Sequence, residues 1–250
     1  MNMRYLDAKL AQEIDEELMN EHSAFSLDQL MELAGLACAT TVQKVYPPAT
    51  HVRVLVCCGP GNQGGDGLVA ARHLSLFGYE PTIYLPKPGS KDIYKRLLQQ
   101  CDNMKVPTIS NVSELKEALH ASHVVLDAIF GFSFKPPVRA PFDEALSLLA
   151  ADTSPPIVSV DIPSGWDVNA GKPADPLPVS GSEGSTVALE PAVLISLTAP
   201  KLGVKEFKGR HFLGGRFVPK YLEDKYQLCL PAYPGSDQVV ELLASSSGKL

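Results

Sequence analysis

Three short runs hold the residues best suited to chemistry: GPGNQGGDG at 59–67, DAIFG at 127–131 and DIPSG at 161–165. Each sets an aspartate (Asp66, Asp127 or Asp161) close to glycine at the end of an apolar stretch. Carboxylates gathered at one mouth repel one another unless a cation or a shared proton intervenes. Aspartate oxygens, the Ser164 hydroxyl, the side-chain carbonyl of Asn62 or Gln63 and backbone carbonyls form an oxygen-only set. Such a set suits a hard cation and not zinc or copper. Taken singly, Asp127 and Asp161 also fit strand-end caps or surface acids. Their joint placement beside a glycine-rich turn favours a site.

That turn, within VLVCCGPGNQGGDG at 54–67, satisfies G-x-G-x-x-G at Gly59, Gly61 and Gly64 and follows a predicted strand. A dinucleotide fold expects an acid about 20 residues further on, at the end of the second strand. Here the second strand, 82–85, runs into Pro86, Lys87, Pro88 and Gly89 instead. A phosphate loop fails as well, because no Gly-Lys-Ser/Thr follows the glycines. Asp66 by a helix N-terminus suits the helix dipole but competes with a phosphate for the same donors. The plainer alternative is a strand-to-helix turn with Asp66 as N-cap.

Close to the second aspartate, Gly131, Phe132, Ser133, Phe134, Lys135, Pro136, Pro137, Val138 and Arg139 mix aromatics with two cations, stiffened by the diproline. Such a segment can wrap a ring and its phosphates. Lys135 and Arg139 alone also fit ordinary solvated loop charges.

The elements that must position these runs alternate. Leu6, Leu10, Ile14 and Leu18 lie four apart, on one helix face. Ser26 to Gln29 has the form of a capping box, followed by an apolar stripe through Leu30, Leu33, Leu36 and Ala37 toward Val45. After these two helices the pattern predicts strands at 52–57, 81–85, 124–128, 157–162 and 192–198. It predicts helices at 66–77, 90–104, 113–121 and 141–149, and a short apolar run at 106–109. The fold class is α/β, with a mostly parallel central sheet covered on both faces and two N-terminal helices. In open sheets of this kind ligands bind outside the carboxyl ends of the strands, which is where the three aspartates fall. Residues 169–191, rich in Pro, Gly and Ser, read as a long surface loop inserted between core strands. A single domain over 1–235 and a frayed tail over 236–250 are expected.

At 250 residues, 45% hydrophobic and 20% charged, the chain can bury a sizeable core. A net charge of -6 without clustered Lys and Arg argues against a nucleic-acid surface. The five cysteines (Cys38, Cys57, Cys58, Cys101 and Cys229) match no zinc or C-x-x-C spacing and read as reduced thiols. The acid-bearing N-terminus matches neither a signal nor a transit peptide, and no apolar run approaches membrane-spanning length. The expectation is a soluble intracellular protein with no membrane partner, cytoplasmic or mitochondrial.

Taken in order, GPGNQGGDGLVAARHLSLFGYEP, DAIFGFSFKPPVRAPF, SVDIPSGWDV and LISLTAPK resemble the NAD(P)HX epimerases, the YjeF N-terminal domain family that includes the apolipoprotein A-I-binding protein. The similarity runs from the ELM and LMELAG helices to GGRFVP and KYQLCLP. It implies a Rossmann-like three-layer sandwich and a homodimer. It also implies interconversion of the R and S epimers of hydrated NADH and NADPH (NAD(P)HX), which feeds an S-specific dehydratase. Carried over residue by residue, potassium ligands are Gln63, Asp127 and Ser164. Substrate contacts are Asn62, Gln63, Gly64, Gly65, Asp66, Gly131, Phe132, Ser133, Phe134, Lys135, Pro136, Pro137 and Asp161. The family more often has Asn-Asn where this chain has Asn62 and Gln63, and the longer Gln63 keeps the amide oxygen.

Hydrated NADH bears a hydroxyl on the ring carbon next to the ring nitrogen. Inverting it needs that bond, or the ring carbon–nitrogen bond, to break and reform, for which general acid–base catalysis suffices. Asp161 is the expected acid–base group, with Lys135 in support, and no nucleophile stands out. One alternative of another class is a non-catalytic binding or dimerisation module, as in related domains that have lost the acids. The retained Asp66, Asp127 and Asp161 favour an enzyme.

Overall fold

A computed structural model describes residues 3–135, 137–151, 155–173, 177–178 and 186–242, with the backbone alone at 177–178 and 186–187. Two helices come first, α1 (Ala8–Leu18) and α2 (Leu27–Val45). Asp7 caps α1 through the Leu10 amide, and the Ser26/Gln29 capping box at the start of α2 is fully formed. Alternating elements follow: β1 (Arg53–Cys58), α3 (Asn62–Leu76), β2 (Glu80–Tyr84), α4 (Asp92–Asn103), β3 (Thr108–Ile109) and α5 (Val112–Ala121). Then come β4 (Val124–Ala128), α6 (Phe142–Leu149), β5 (Ile157–Val160), β6 (Leu177–Pro178), β7 (Thr186–Val187) and β8 (Val193–Leu197). The chain closes with β9 (Arg210–Gly214), α7 (Lys220–Tyr226) and β10 (Val240–Leu242).

Among the described residues one eight-stranded sheet has the order β10-β9-β8-β5-β4-β1-β2-β3, parallel except where β10 joins β9. Side-chain alternation divides β1 between two cores. Val54, Val56 and Cys58 pack with α2, α3 and α4, whereas Leu55 and Cys57 pack with α5 and α6. Helices therefore cover both faces, which is why the central strands are apolar on both sides. A third cluster, Leu6, Ile14, Leu18, Leu222 and Leu228, seats α1 and α7 together. The order of strands reverses between β1 and β4, and the crevice at such a switch point is where this architecture places a ligand.

Several expectations change. The third helix begins at Asn62 with Gly61 as an N-cap that makes no side-chain bond, so Asp66 sits inside the helix and does not cap it. Glycine in a helix is unfavourable by about 1 kcal/mol, which hides such a helix from propensity reasoning. Packing explains the exception: a Cβ at Gly64 would collide with the Gly59 carbonyl oxygen. The expected frayed tail is ordered at its start, where Val240 pairs with Leu213 and Lys44 meets Asp237 at 2.9 Å; residues 243–250 lie outside the described residues. The 169–191 segment is packed at both ends, with Gly203 N–H on the Val168 carbonyl and the Trp166 indole on the Leu189 carbonyl, each bond tying one end down. Its backbone pairs antiparallel at 177–178 and 186–187, and most of its centre lies outside the described residues. No helix among the described residues is long and apolar enough to cross a membrane.

Candidate active site

A cavity of about 760 Å³ opens at the switch point. The first turns of α3 supply Asn62, Gln63 and Asp66, the segment after β4 supplies Gly131 to Phe134, and Asp161 follows β5. Leu197, Thr198 and Lys201 come from the end of β8. Asp15 and Met19 of α1 and Met31 of α2 also line the cavity. Its size lies within the usual range for cofactor-sized ligands.

Asp161 is held unusually. Its φ is +61°, the Ile162 amide bonds back to the Val160 carbonyl at 2.7 Å, and so it is the central residue of a strained γ-turn. Aspartate tolerates this region better than most residues. The turn swings the carboxylate toward β8, where Oδ1 accepts from the Leu197 amide at 3.1 Å and from Lys201 Nζ at 2.5 Å. Both side chains are almost wholly buried, at 4% and 5% exposure.

Asp66 lines the same space, and its carboxyl makes no hydrogen bond among the described residues. Burial pushes its carboxyl well above the ordinary range, the charges of Asp161 and Asp15 push it further, and Lys201 opposes them. Asp15, from the facing helix, is raised to about 6, chiefly by burial; Lys201 lowers it and Asp161 raises it. Burial and the two neighbouring acids therefore favour the protonated form of Asp66, which suits it to act as a donor on the cavity that the anchored Asp161 also lines.

Asp127 does not reach the cavity. It points to the α5/α6 side of β4 and is fully buried, accepting from Ser159 Oγ at 2.8 Å, Ser164 N at 2.9 Å, Ser164 Oγ at 2.5 Å and Ile129 N at 3.3 Å. Burial raises its carboxyl above the usual range and those bonds oppose the rise. Ser164 Oγ in turn accepts from the Phe130 amide at 3.0 Å, so Asp127 braces the segment after β4. The Gln63 amide donates to the Val160 carbonyl, and a Cβ at Gly131 would stand 2.5 Å from Gln63 Oε1, so glycine at 131 leaves room for the longer side chain.

The sequence-derived set is thus split. Asn62, Gln63, Asp66, Gly131, Phe132, Ser133, Phe134 and Asp161 line the cavity. Gly64 and Gly65 are buried in α3 and lie off it, Asp127 and Ser164 lie beneath it, and Pro136 is outside the described residues. Lys135 is exposed and, like Pro137, does not line the cavity, so the cation beside Asp161 is Lys201 and not Lys135. A flexible lysine on a loop tip is drawn to water, whereas Lys201 leaves a strand end directly against the carboxylate. Lys201 was within reach of the strand-end rule, at the close of LISLTAPK. Asp15 carried no such signal, since only tertiary packing sets α1 across the mouth.

Among the described residues no group of three or more His, Cys, Asp or Glu is placed to hold a metal ion. Gln63, Asp127 and Ser164 each offer a side-chain oxygen, the donor type that hard cations take, with Gln63 on the cavity and the Asp127 oxygens already accepting from Ser159, Ser164 and Ile129.

Residues 27–203 match the family described as YjeF-related protein N-terminus. The chain is 56% identical to a Cryptococcus neoformans protein named NAD(P)H-hydrate epimerase, over 97% of this chain and 98% of that one. It is 57% identical to a protein of the same name from Puccinia graminis, covering 97% and 95%. A third of that name, from Mycosarcoma maydis, is 52% identical, covering 97% and 89%. The crystal structure of the yeast protein ynu0 superposes with a TM-score of 0.84 at 41% identity, covering 96% of this chain and all of that one. With the family match spanning the β1–α3 turn, both later aspartates and Lys201, the chain belongs to the YjeF-related protein N-terminus family.

Proposed function

We propose that the chain is an isomerase, an NAD(P)H-hydrate epimerase that interconverts the R and S forms of hydrated NADH and NADPH. The observation that carries this reading is the placing on one cavity of a buried Asp66, whose carboxyl is pushed toward its protonated form, and an anchored, ion-paired Asp161. The names of relatives more than 50% identical over nearly the whole chain support it.

Asp66 gives its proton to the ring hydroxyl, the carbon–oxygen bond breaks, and water leaves a ring cation shared by carbon and nitrogen. Asp161, with one oxygen open, stabilises that charge and takes a proton from the water that returns to the opposite face. Proton exchange between the two acids restores the start. Asp66 and Asp161 are the catalytic residues in this reading. The stacked Phe130 and Phe134 rings, 4.5 Å apart, and Phe132 give the wall after β4 an aromatic surface for the substrate.

The reading extends to a potassium ion held by Gln63, Asp127 and Ser164, which when bound offsets the buried charge of Asp127. It also extends to a homodimer and to coupling with an S-specific dehydratase. Purified protein mixed with both epimers of hydrated NADH and such a dehydratase tests it. Complete consumption of the R epimer is the expected result. Persistence of the R epimer overturns the reading in favour of a binding module.

A further inference from the structure

Lys201 is a charge for which epimerisation chemistry alone assigns no task. Its side chain is 5% exposed, and the ammonium donates to Asp161 Oδ1 at 2.5 Å and to the Leu197 carbonyl at 2.9 Å, with the Phe132 ring centroid 5.8 Å away. The Leu197 amide comes to the same Oδ1, so two donors hold one oxygen. No donor among the described residues meets Oδ2, which is left open on a residue that lines the cavity.

The lysine is itself braced. The Leu6 amide bonds to the Pro200 carbonyl and the Leu202 amide to the Leu6 carbonyl, both at 2.8 Å, so Leu6 straddles Lys201 from both sides. Leu6 is fully buried and leads directly into α1, ahead of the family-matching segment 27–203. A buried ion pair is weak evidence for stability, because an apolar pair in its place is often as good or better. Its place at the wall of a reaction cavity points to orientation of the carboxylate.

We propose that Lys201, braced by the N-terminal segment through Leu6, is the positioning residue of the reaction: by anchoring Oδ1 it fixes the orientation in which Asp161 Oδ2 meets the substrate. This rests on the epimerase reading of the cavity. The ionisable groups coupled around it are Asp15 of α1, Asp66 of α3 and the buried Cys38 thiol of α2.

The test is a double-mutant cycle on the full chain, with the R epimer of hydrated NADH as substrate and a dehydratase as reporter. Lys201→Met is expected to lower kcat by about 100-fold, the scale of a misplaced reacting group, with KM changed less than about threefold. Because Lys201 acts through Asp161, the double variant Asp161→Asn/Lys201→Met is expected to be no slower than Asp161→Asn alone. A Lys201→Met enzyme with wild-type kcat overturns the proposal, as does a double variant slowed again by the factor seen in the wild-type background. If Lys201→Met alone fails to fold, the comparison of Asp161→Asn with the charge-free double variant decides the matter: equal rates support the proposal and a further loss overturns it. An inactive wild type is a different failure and falls on the epimerase reading.

Discussion

Asp161 and Thr198 are the central residues of two γ-turns of the positive-φ form, at +61° and +67°, at the ends of the neighbouring parallel strands β5 and β8. Each closes with a bond of 2.7 Å, Ile162 N–H to the Val160 carbonyl and Ala199 N–H to the Leu197 carbonyl. Such backbone costs about 1–3 kcal/mol at a non-glycine residue and persists where the surroundings enforce it. Thr198→Gly removes that cost while losing a buried side chain, so stability is expected to hold or rise by up to about 1 kcal/mol. A drop in the denaturant midpoint equivalent to more than about 2 kcal/mol would sink the strain argument.

The two catalytic carboxyls are expected to separate in their stability effects. Asp66→Asn and Asp161→Asn both lower kcat, by about 10²–10⁴-fold. Asp66→Asn is expected to leave stability at pH 7 unchanged or improved, because burial and the nearby acids disfavour a charged carboxylate at that position. Asp161→Asn strands the Lys201 ammonium and is expected to cost about 3–5 kcal/mol. Chemical denaturation of both variants reads the contrast, and equal stability losses would contradict it.

Asp15 gives the chain a pH dependence of known sign. A carboxyl whose folded pKa is about 6, above its ordinary 3.8, binds its proton more tightly in the folded state. Its contribution is therefore favourable at low pH and is lost as pH rises from about 4 through 6. Asp15→Asn is expected to match the wild type below that window and to exceed it above pH 7 by on the order of 3 kcal/mol. Thermal midpoints across that range check this, and a variant less stable than wild type at pH 8 would refute it.

Ser164 clasps both oxygens of Asp127, by hydroxyl at 2.5 Å and by amide at 2.9 Å. Ser164→Ala keeps only the amide and is expected to cost about 1–3 kcal/mol. If the potassium reading holds, potassium raises the wild-type thermal midpoint over lithium at equal ionic strength, and Ser164→Ala abolishes the difference. Equal midpoints for the wild type in the two salts would remove the ion from the account.

Lys135 stands exposed and off the cavity, so Lys135→Ala is expected to leave kcat within about twofold and stability within about 0.5 kcal/mol. A large fall in kcat would restore the catalytic support expected from its place in the sequence.

Much of the fold was legible because local signals were strong. The Ser26/Gln29 box formed as written, and β4 begins and ends at the predicted residues. The elements after β8 escaped reasoning because β9, α7 and β10 are short, and Lys220–Tyr226 lacks the length over which a helical period shows itself. At the site, the three aspartates were found by their strand ends, yet Asp127 turned out to face the other side of the sheet. Its neighbours Val125 and Ile129 share that face, so the period of two contains this information once the strand's faces are assigned.

The sequence by itself determined the α/β class, the parallel sheet, the family and the three acidic strand ends, because periodicity, capping and motif order are properties of neighbours along the chain. Tertiary structure alone decided which acid is pushed toward its protonated form, which is ion-paired and which cation does the pairing. Those outcomes depend on burial and on distances between residues such as Asp161 and Lys201, 40 positions apart in sequence and 2.5 Å apart in space. A pKa or a hydrogen bond is set by what surrounds a group in three dimensions, and no spacing along the chain encodes that directly.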